Sequence, residues 1–370
     1  MILLIPQIPA YKLFRRFGFP KMLPLNLTVS LTNRCNSRCL TCRVYDRPVA
    51  EFSPDEYART FRSLGRRPYW VTMSGGEPFL REDIVEICGS AYDLCRPRII
   101  NIATNGLLSE VISERAAEIA RRAPKSEIIV NLSLDGVGEE HDAIRRVKNN
   151  FERALTTFRK LKEIAAPNLT VGIHTVISRF NVADFPRIAE ELMGLNPDSY
   201  IAEIAEERVE LGTVGGNITP SLEEYSRAVG FLTSRIREQP YRGLAGIAQA
   251  FRSRYYLLAE RTLREKRQIL PCYAGFISAQ IAPDGEVWAC CVKAESMGNL
   301  RRAGYDFSKV WFSEKAESVR APIRRGECFC PLANAGYTNM LASARTMVPV
   351  LKIMARNKLR GRRRKPSPRG

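Results

Sequence analysis

Six short runs of apolar or β-branched residues, at 25–31, 70–74, 99–103, 128–134, 170–177 and 199–205, recur along the first part of this 370-residue chain. Between them, at 54–64, 82–94, 109–122, 150–166 and 182–193, lie segments long enough to be crossover helices. Continuous apolar character, without polar alternation, is what parallel strands covered on both faces require. Ser53 reads as an N-cap, with Pro54 in the first helical position and Glu56 three residues after the cap. Ser109 suits a cap without that box. Repeated βα units imply a parallel barrel or an open wound sheet, and both place their chemistry at the carboxyl ends of the strands.

Cysteine falls at one of those ends. Cys35, Cys39 and Cys42 form a CysX3CysX2Cys triplet in the loop after the first run, and Gly75-Gly76-Glu77-Pro78 closes the second. Four thiolates complete a tetrahedral zinc site or a fully ligated iron–sulfur cubane, whereas three leave one iron of a four-iron cluster open. A partial zinc site is the plain alternative for the triplet alone, and an ordinary turn is the alternative for the glycines. Together and in this order, the two motifs resemble the radical S-adenosylmethionine (radical SAM) superfamily.

That resemblance implies an α/β chain with a partial, TIM-like (β/α)6 barrel over residues 25–215. It implies a [4Fe–4S] cluster on Cys35, Cys39 and Cys42, with the amino and carboxylate groups of S-adenosylmethionine on the open iron. Gly75 and Gly76 would let backbone carbonyls approach the methionine ammonium, Glu77 would add charge complementarity, and Pro78 completes the motif. Thr104, Asn105 and Ser133, ending the third and fourth strands, would contact the cofactor's carboxylate and ribose; capping of the following helices is their plain alternative. Thr41 stands where the family usually carries an aromatic residue, and Tyr45 is the nearest substitute. His174 reads as a hydrogen-bonded core imidazole, Glu203 as pointing into the barrel, and His141 as facing solvent from an acidic loop.

A second cysteine group comprises Cys272, Cys290, Cys291, Cys328 and Cys330, with a Pro283-Asp284-Gly285 turn inside a hairpin pattern. The spacing from Cys272 through Gly285 to Cys290 resembles the SPASM/twitch auxiliary domains attached to many radical SAM enzymes. The resemblance implies a small α+β unit at 266–340, with Cys272, Cys290, Cys328 and Cys330 on one auxiliary [4Fe–4S] cluster; structural zinc on the same ligands is the alternative. A full SPASM domain has seven cysteines, so a single cluster is expected here. Adjacent side chains on a strand face opposite ways, which makes Cys291 a spare or an alternative ligand. Cys88 and Cys95 share one helix face and read as buried small residues.

The net charge of +18 is concentrated at the ends: Lys12, Arg15, Arg16 and Lys21 at 1–24, and an arginine-rich run within 341–370. Residues 216–265 read as a helical linker. Apolar and basic residues interleave at both ends, which points to an anionic membrane surface and to a lipid or isoprenoid substrate. Maturation of a ribosomal peptide is the alternative, as in SPASM/twitch relatives, and a non-catalytic metal-binding protein is the remaining one. Nucleic acid ranks last, because no folded unit interleaves aromatics with the charge. Flavodoxin or ferredoxin is the expected electron donor. Cysteine usage and the lack of a spanning apolar run suit a cytoplasmic protein peripheral to the membrane.

Overall fold

The computed structural model describes residues 2–238 and 243–348. The six apolar runs are strands β1 (Asn26–Ser30), β2 (Trp70–Ser74), β3 (Ile99–Thr104), β4 (Glu127–Ser133), β5 (Leu169–Ile177) and β6 (Ser199–Ile204). They pair in parallel, in chain order. Before β1 comes α1 (Ile8–Phe17). The crossovers are α2 (Pro54–Leu64), α3 (Ile84–Cys95), α4 (Ser109–Arg122), α5 (Glu139–Arg145) with α6 (Asn150–Glu163), and α7 (Phe185–Gly194). Ser53 caps α2 through the complete box with Glu56. Cys88 and Cys95 are buried on α3, as expected.

The sheet does not stop at β1. After α8 (Leu222–Glu238) and α9 (Gly243–Glu265), strand β7 (Ser278–Ile281) pairs parallel to β1 on its free side. Strands β8 (Glu286–Trp288) and β9 (Ser296–Asn299) follow antiparallel. One nine-stranded sheet results, in the order β6-β5-β4-β3-β2-β1-β7-β8-β9. The auxiliary unit therefore extends the partial barrel, and covering the β1 edge removes a row of unpaired backbone groups. Helices α10 (Phe307–Trp311), α11 (Glu314–Arg325) and α12 (Ala333–Leu341) follow.

Side chains lock the two halves. Trp311 is fully buried and donates from Nε1 to the Met22 carbonyl at 2.8 Å. Glu56 serves its capping box and also receives Arg301 Nε at 2.6 Å and the Tyr305 hydroxyl at 2.9 Å. The Arg301 guanidinium, more than the cap, holds the Glu56 carboxyl down at about 2. The stretch expected to link the halves carries a core of its own, in which Tyr225, Tyr255 and Tyr256 pack with Phe185, Ala202 and Met340. Helix α1 is docked rather than free, burying Ile8, Tyr11 and Phe14. The expected amphipathic and basic tail lies, from residue 349 on, outside the described residues.

Gly285 turns the β7–β8 hairpin at φ +85°, and a Cβ there would overlap the Phe52 ring. Gly285→Ala is expected to destabilise the protein by about 2–3 kcal/mol, through backbone strain and overpacking together. Equilibrium urea unfolding of the single variant and of Gly285→Ala/Phe52→Ala checks this; removing the ring should restore part of the loss.

Candidate active site

The triplet loop leaves β1 at Leu31, whose amide donates to the Ser74 carbonyl at 2.8 Å. The turn after β2 then lies directly against it. Gly76 N donates to the Thr32 carbonyl at 2.6 Å, and Glu77 N to that of Arg34 at 2.9 Å. Gly75 has φ +126°, and a Cβ on Gly75 or Gly76 would overlap the carbonyl oxygens of Thr32 and Arg34 respectively. Glycine is thus demanded here by backbone touching backbone. On its far side the loop is held by α5: Leu40 N donates to the Ile144 carbonyl at 2.9 Å and Arg38 N to that of Arg145 at 3.2 Å.

Cys35, Cys39 and Cys42 line a cleft, partly open to solvent, at the carboxyl ends of the strands. Gly75, Gly76, Thr104, Asn105 and Ser133 line the same cleft, as do Thr41 and Tyr45. Glu77 and Pro78 are instead buried behind its wall. Glu77 accepts hydrogen bonds from the Thr104 hydroxyl (2.9 Å), the Asn105 amide (2.7 Å) and the Phe79 amide (3.2 Å). Burial pushes its carboxyl up to about 7 against those bonds. It ties the β2 turn to the end of β3, and Asn105 passes the tie on, donating to Asn36 Oδ1 at 2.6 Å.

Charged and imidazole side chains also line or back the cleft. Arg145 is buried, pairs with Asp135 at 2.7 Å and reaches Cys39 Sγ at 3.7 Å. Periodicity does not reveal α5, so this cation could not be foreseen. His141 is fully buried, contrary to the solvent-facing expectation; its Nδ1 accepts from the Asp135 amide at 3.0 Å. Its ring packs edge-on to Phe151 at 5.9 Å, and burial holds the imidazole down at about 4. His174 is no core imidazole either: it faces the cleft with Nε2 3.6 Å from Glu203 Oε2. Glu203 lines the cleft as expected; burial would raise its carboxyl, but His174 first and then Arg208 and Arg252 hold it low.

The segment after β6 joins this cleft to the second cysteine group. Arg43 N donates to the Leu211 carbonyl at 2.8 Å, Val209 N to that of Val292 at 2.9 Å, and Glu210 N to that of Cys291 at 3.3 Å. Cys272 lies near enough to Cys290 and Cys328, and Cys330 to Cys272 and Cys290, for each charged thiolate to oppose the others. Cys291 is buried and packs with Leu332 and Ala335; burial pushes its thiol up, with the Arg208 charge acting the other way. Burial pushes the Cys42 and Cys272 thiols up to about 12. Such thiols stay protonated and inert until a metal displaces the proton. Among the described residues no three ligating side chains converge on one point as a single ion requires. A cluster takes each sulfur on a separate iron, so both sulfur sets fit iron–sulfur ligation.

A family model for the radical SAM superfamily matches residues 29–192, and one for the SPASM iron–sulfur cluster-binding domain matches residues 272–331. The chain belongs to the radical SAM superfamily. A [4Fe–4S] cluster and S-adenosylmethionine are the cofactors of its first domain, and iron–sulfur that of its SPASM domain. It is 30% identical over 163 residues to the pre-heme d1 synthase of Dinoroseobacter shibae, a match covering 43% of this chain and 38% of that relative. The chain thus spans well under half the length of that curated relative. With the mycofactocin maturase MftC of Mycolicibacterium smegmatis it shares 25% identity over 340 residues, 86% of this chain and 78% of the relative. The fold is similar to that of Streptococcus suis SuiB bound to the precursor peptide SuiA. The TM-score is 0.59 at 16% identity, covering 83% of this chain and 69% of that one. No helix among the described residues is long and apolar enough to cross a membrane.

Gly76→Ala is expected to displace the triplet loop and to lower the iron bound after anaerobic reconstitution by about half or more, read by iron and sulfide assay. A second expectation concerns Glu206, buried in the cleft wall and raised to about 7 by burial, with Arg208 pulling the other way. Its folded form takes a proton at higher pH than its unfolded form, so its contribution to stability falls as pH rises from about 4.5 to about 7. In cofactor-free protein, Glu206→Gln should overtake the wild type across that window by up to about 3 kcal/mol, measured by urea unfolding at several pH values.

Proposed function

We propose that this chain is a peptide maturase that reductively cleaves S-adenosylmethionine and modifies a peptide held in the cleft. The observation that carries the chemistry is the lining of one cleft by three thiols together with Gly75, Gly76, Thr104, Asn105 and Ser133. When bound, the cluster and S-adenosylmethionine supply a 5′-deoxyadenosyl radical that removes a hydrogen atom from the substrate. Cys35, Cys39 and Cys42 hold the cluster in this reading, and Cys272, Cys290, Cys328 and Cys330 hold the auxiliary one. Gly75 and Gly76 offer backbone carbonyls to the cofactor's ammonium, while Thr104, Asn105 and Ser133 orient its carboxylate and ribose. Glu77 acts from behind, by fixing the β2 and β3 turns against each other. His174 and Glu203, on the β5 and β6 ends, line the cleft and would orient the substrate there.

The substrate class rests on relatives that match along both domains. MftC, named a maturase, aligns over most of this chain, and the SuiB structure that shares its fold holds a precursor peptide. The lipid or isoprenoid substrate expected from the termini finds no such support. A small acidic electron carrier, a flavodoxin or a ferredoxin, fits the exposed Arg34, Arg38, Arg43 and Arg47 around the triplet loop.

Anaerobically reconstituted protein given dithionite and S-adenosylmethionine should yield 5′-deoxyadenosine, and a precursor peptide encoded beside the gene should change mass. Replacing Cys35, Cys39 and Cys42 with alanine should abolish the nucleoside, a loss of about 100-fold or more. Cys328→Ala/Cys330→Ala should keep it while lowering bound iron, and Cys291→Ala should keep both. Nucleoside formation that survives loss of the triplet would overturn the reading.

A further inference from the structure

Helix α1 has two faces of opposite character. Ile8, Tyr11 and Phe14 are buried, with Phe14 edge-on to Phe276 at 5.6 Å and to Phe312 at 6.2 Å. Arg15 extends that seat: its Nε donates to the Cys272 carbonyl at 2.8 Å, and a terminal nitrogen donates to that of Arg324 at 3.0 Å. The helix is therefore fixed to the SPASM half through the backbone of one of its cysteines.

The other face carries Leu13 and Phe17, one turn apart, with Phe19 just beyond the Gly18 cap. They are 47%, 66% and 75% exposed. Lys12, Arg16 and Lys21 are exposed among them, and the first carboxylate in the sequence is Asp46. Rings left this open keep much of their hydration penalty, although the Arg16 guanidinium lies over the Phe17 ring at 5.1 Å, so a partner that covers them gains by the area removed from water. The charge pattern narrows that partner. A neighbouring protein surface ordinarily offers both signs, whereas three cations interleaved with exposed apolar side chains, on a segment that carries no carboxylate of its own, match a surface that is negative outside and apolar beneath.

We propose that the outer face of α1, continued by Phe19, docks onto a bilayer containing anionic lipid. Leu13, Phe17 and Phe19 enter the boundary between headgroups and acyl chains, and Lys12, Arg16 and Lys21 lie against the headgroups. The bilayer is a docking surface here and not the substrate, so the proposal stands apart from the peptide reading. Arg15 then places the SPASM half nearest the membrane.

The test uses full-length protein sedimented with vesicles of phosphatidylcholine containing about a third phosphatidylglycerol, and with vesicles of phosphatidylcholine alone. The wild type should bind the anionic vesicles at least about tenfold better, and Phe17→Ser/Phe19→Ser should lower that binding at least about fivefold, with unchanged melting temperature and iron content. Should that variant melt early, Lys12→Gln/Arg16→Gln/Lys21→Gln, confined to exposed side chains, takes its place and should show the same loss and a weaker dependence on salt. Undiminished binding of the variants would overturn the proposal by assigning adhesion to the basic C-terminal residues. Failure of the wild type to bind anionic vesicles would overturn it outright. A dimer in sedimentation velocity that Phe17→Ser/Phe19→Ser dissolves would assign the face to a second copy of the chain instead.

Discussion

Contact between two stretches of backbone governs the site. The turn after β2 donates two amides to carbonyls of the loop that carries Cys35, and it comes so close that neither Gly75 nor Gly76 has room for a Cβ. A loop bearing three thiols would otherwise lose a large conformational entropy in holding them on one side of a cleft. Here the ordering is shared among the ends of β1, β2 and β3, with Glu77 buried at the junction and α5 bracing the far side. The two glycines are therefore structural before they are cofactor contacts, and both roles follow from the same lack of a side chain.

Backbone bonds also join the two sulfur sets. The segment after β6 gives its Leu211 carbonyl to the triplet loop, and Val209 and Glu210 donate their amides to the strand end that carries Cys291. Glu210 also receives Ser30 Oγ at 3.2 Å, at the end of β1, and the Gln280 amide from β7. Because β7 pairs with β1, the two strands leading toward the two cysteine groups are neighbours in one sheet. Displacement of either group is then resisted by the other through a few backbone bonds, which is a mechanical link and needs no large interface.

Most of the barrel was legible because its signals are local. Strand β2 and helices α2 and α4 fall on the expected residues, since apolar runs and N-cap chemistry are written in consecutive positions. The triplet and the glycine turn were legible for the same reason. What stayed hidden depends on distant partners. The parallel pairing of β7 with β1 joins residues some 250 apart and leaves no periodic trace. Helix α5 has seven residues, too few for a helical period to stand out, and with it went Arg145 and the burial of His141. His174 lies on a strand whose facing is set by register, so its exposure to the cleft follows only from the folded sheet. The N-terminal segment shows a subtler failure: Phe14 and Phe17 look alike in sequence, yet one is core and the other exposed, because only the docked helix divides them.

The buried cations follow from the sulfurs. Thiols as deeply set as Cys42 and Cys272 resist ionisation, and a set of thiolates on iron concentrates negative charge where water is scarce. The triplet has a buried guanidinium beside it, Arg145 against Cys39, while the half-buried Arg208 lies near Cys291, the cysteine outside the auxiliary set. Arg145 is shared with Asp135, and Arg208 lies 3.8 Å from Glu206, so neither is a bare charge when the sulfurs are protonated. Ionising the triplet draws Arg145 between two anions, which favours the loaded state without leaving the empty one with an uncompensated buried charge. Arginine suits this better than lysine, since its fork can keep a carboxylate while turning another N–H toward sulfur. Asp135 thereby keeps the Arg145 charge paired whether the neighbouring sulfur is protonated or not.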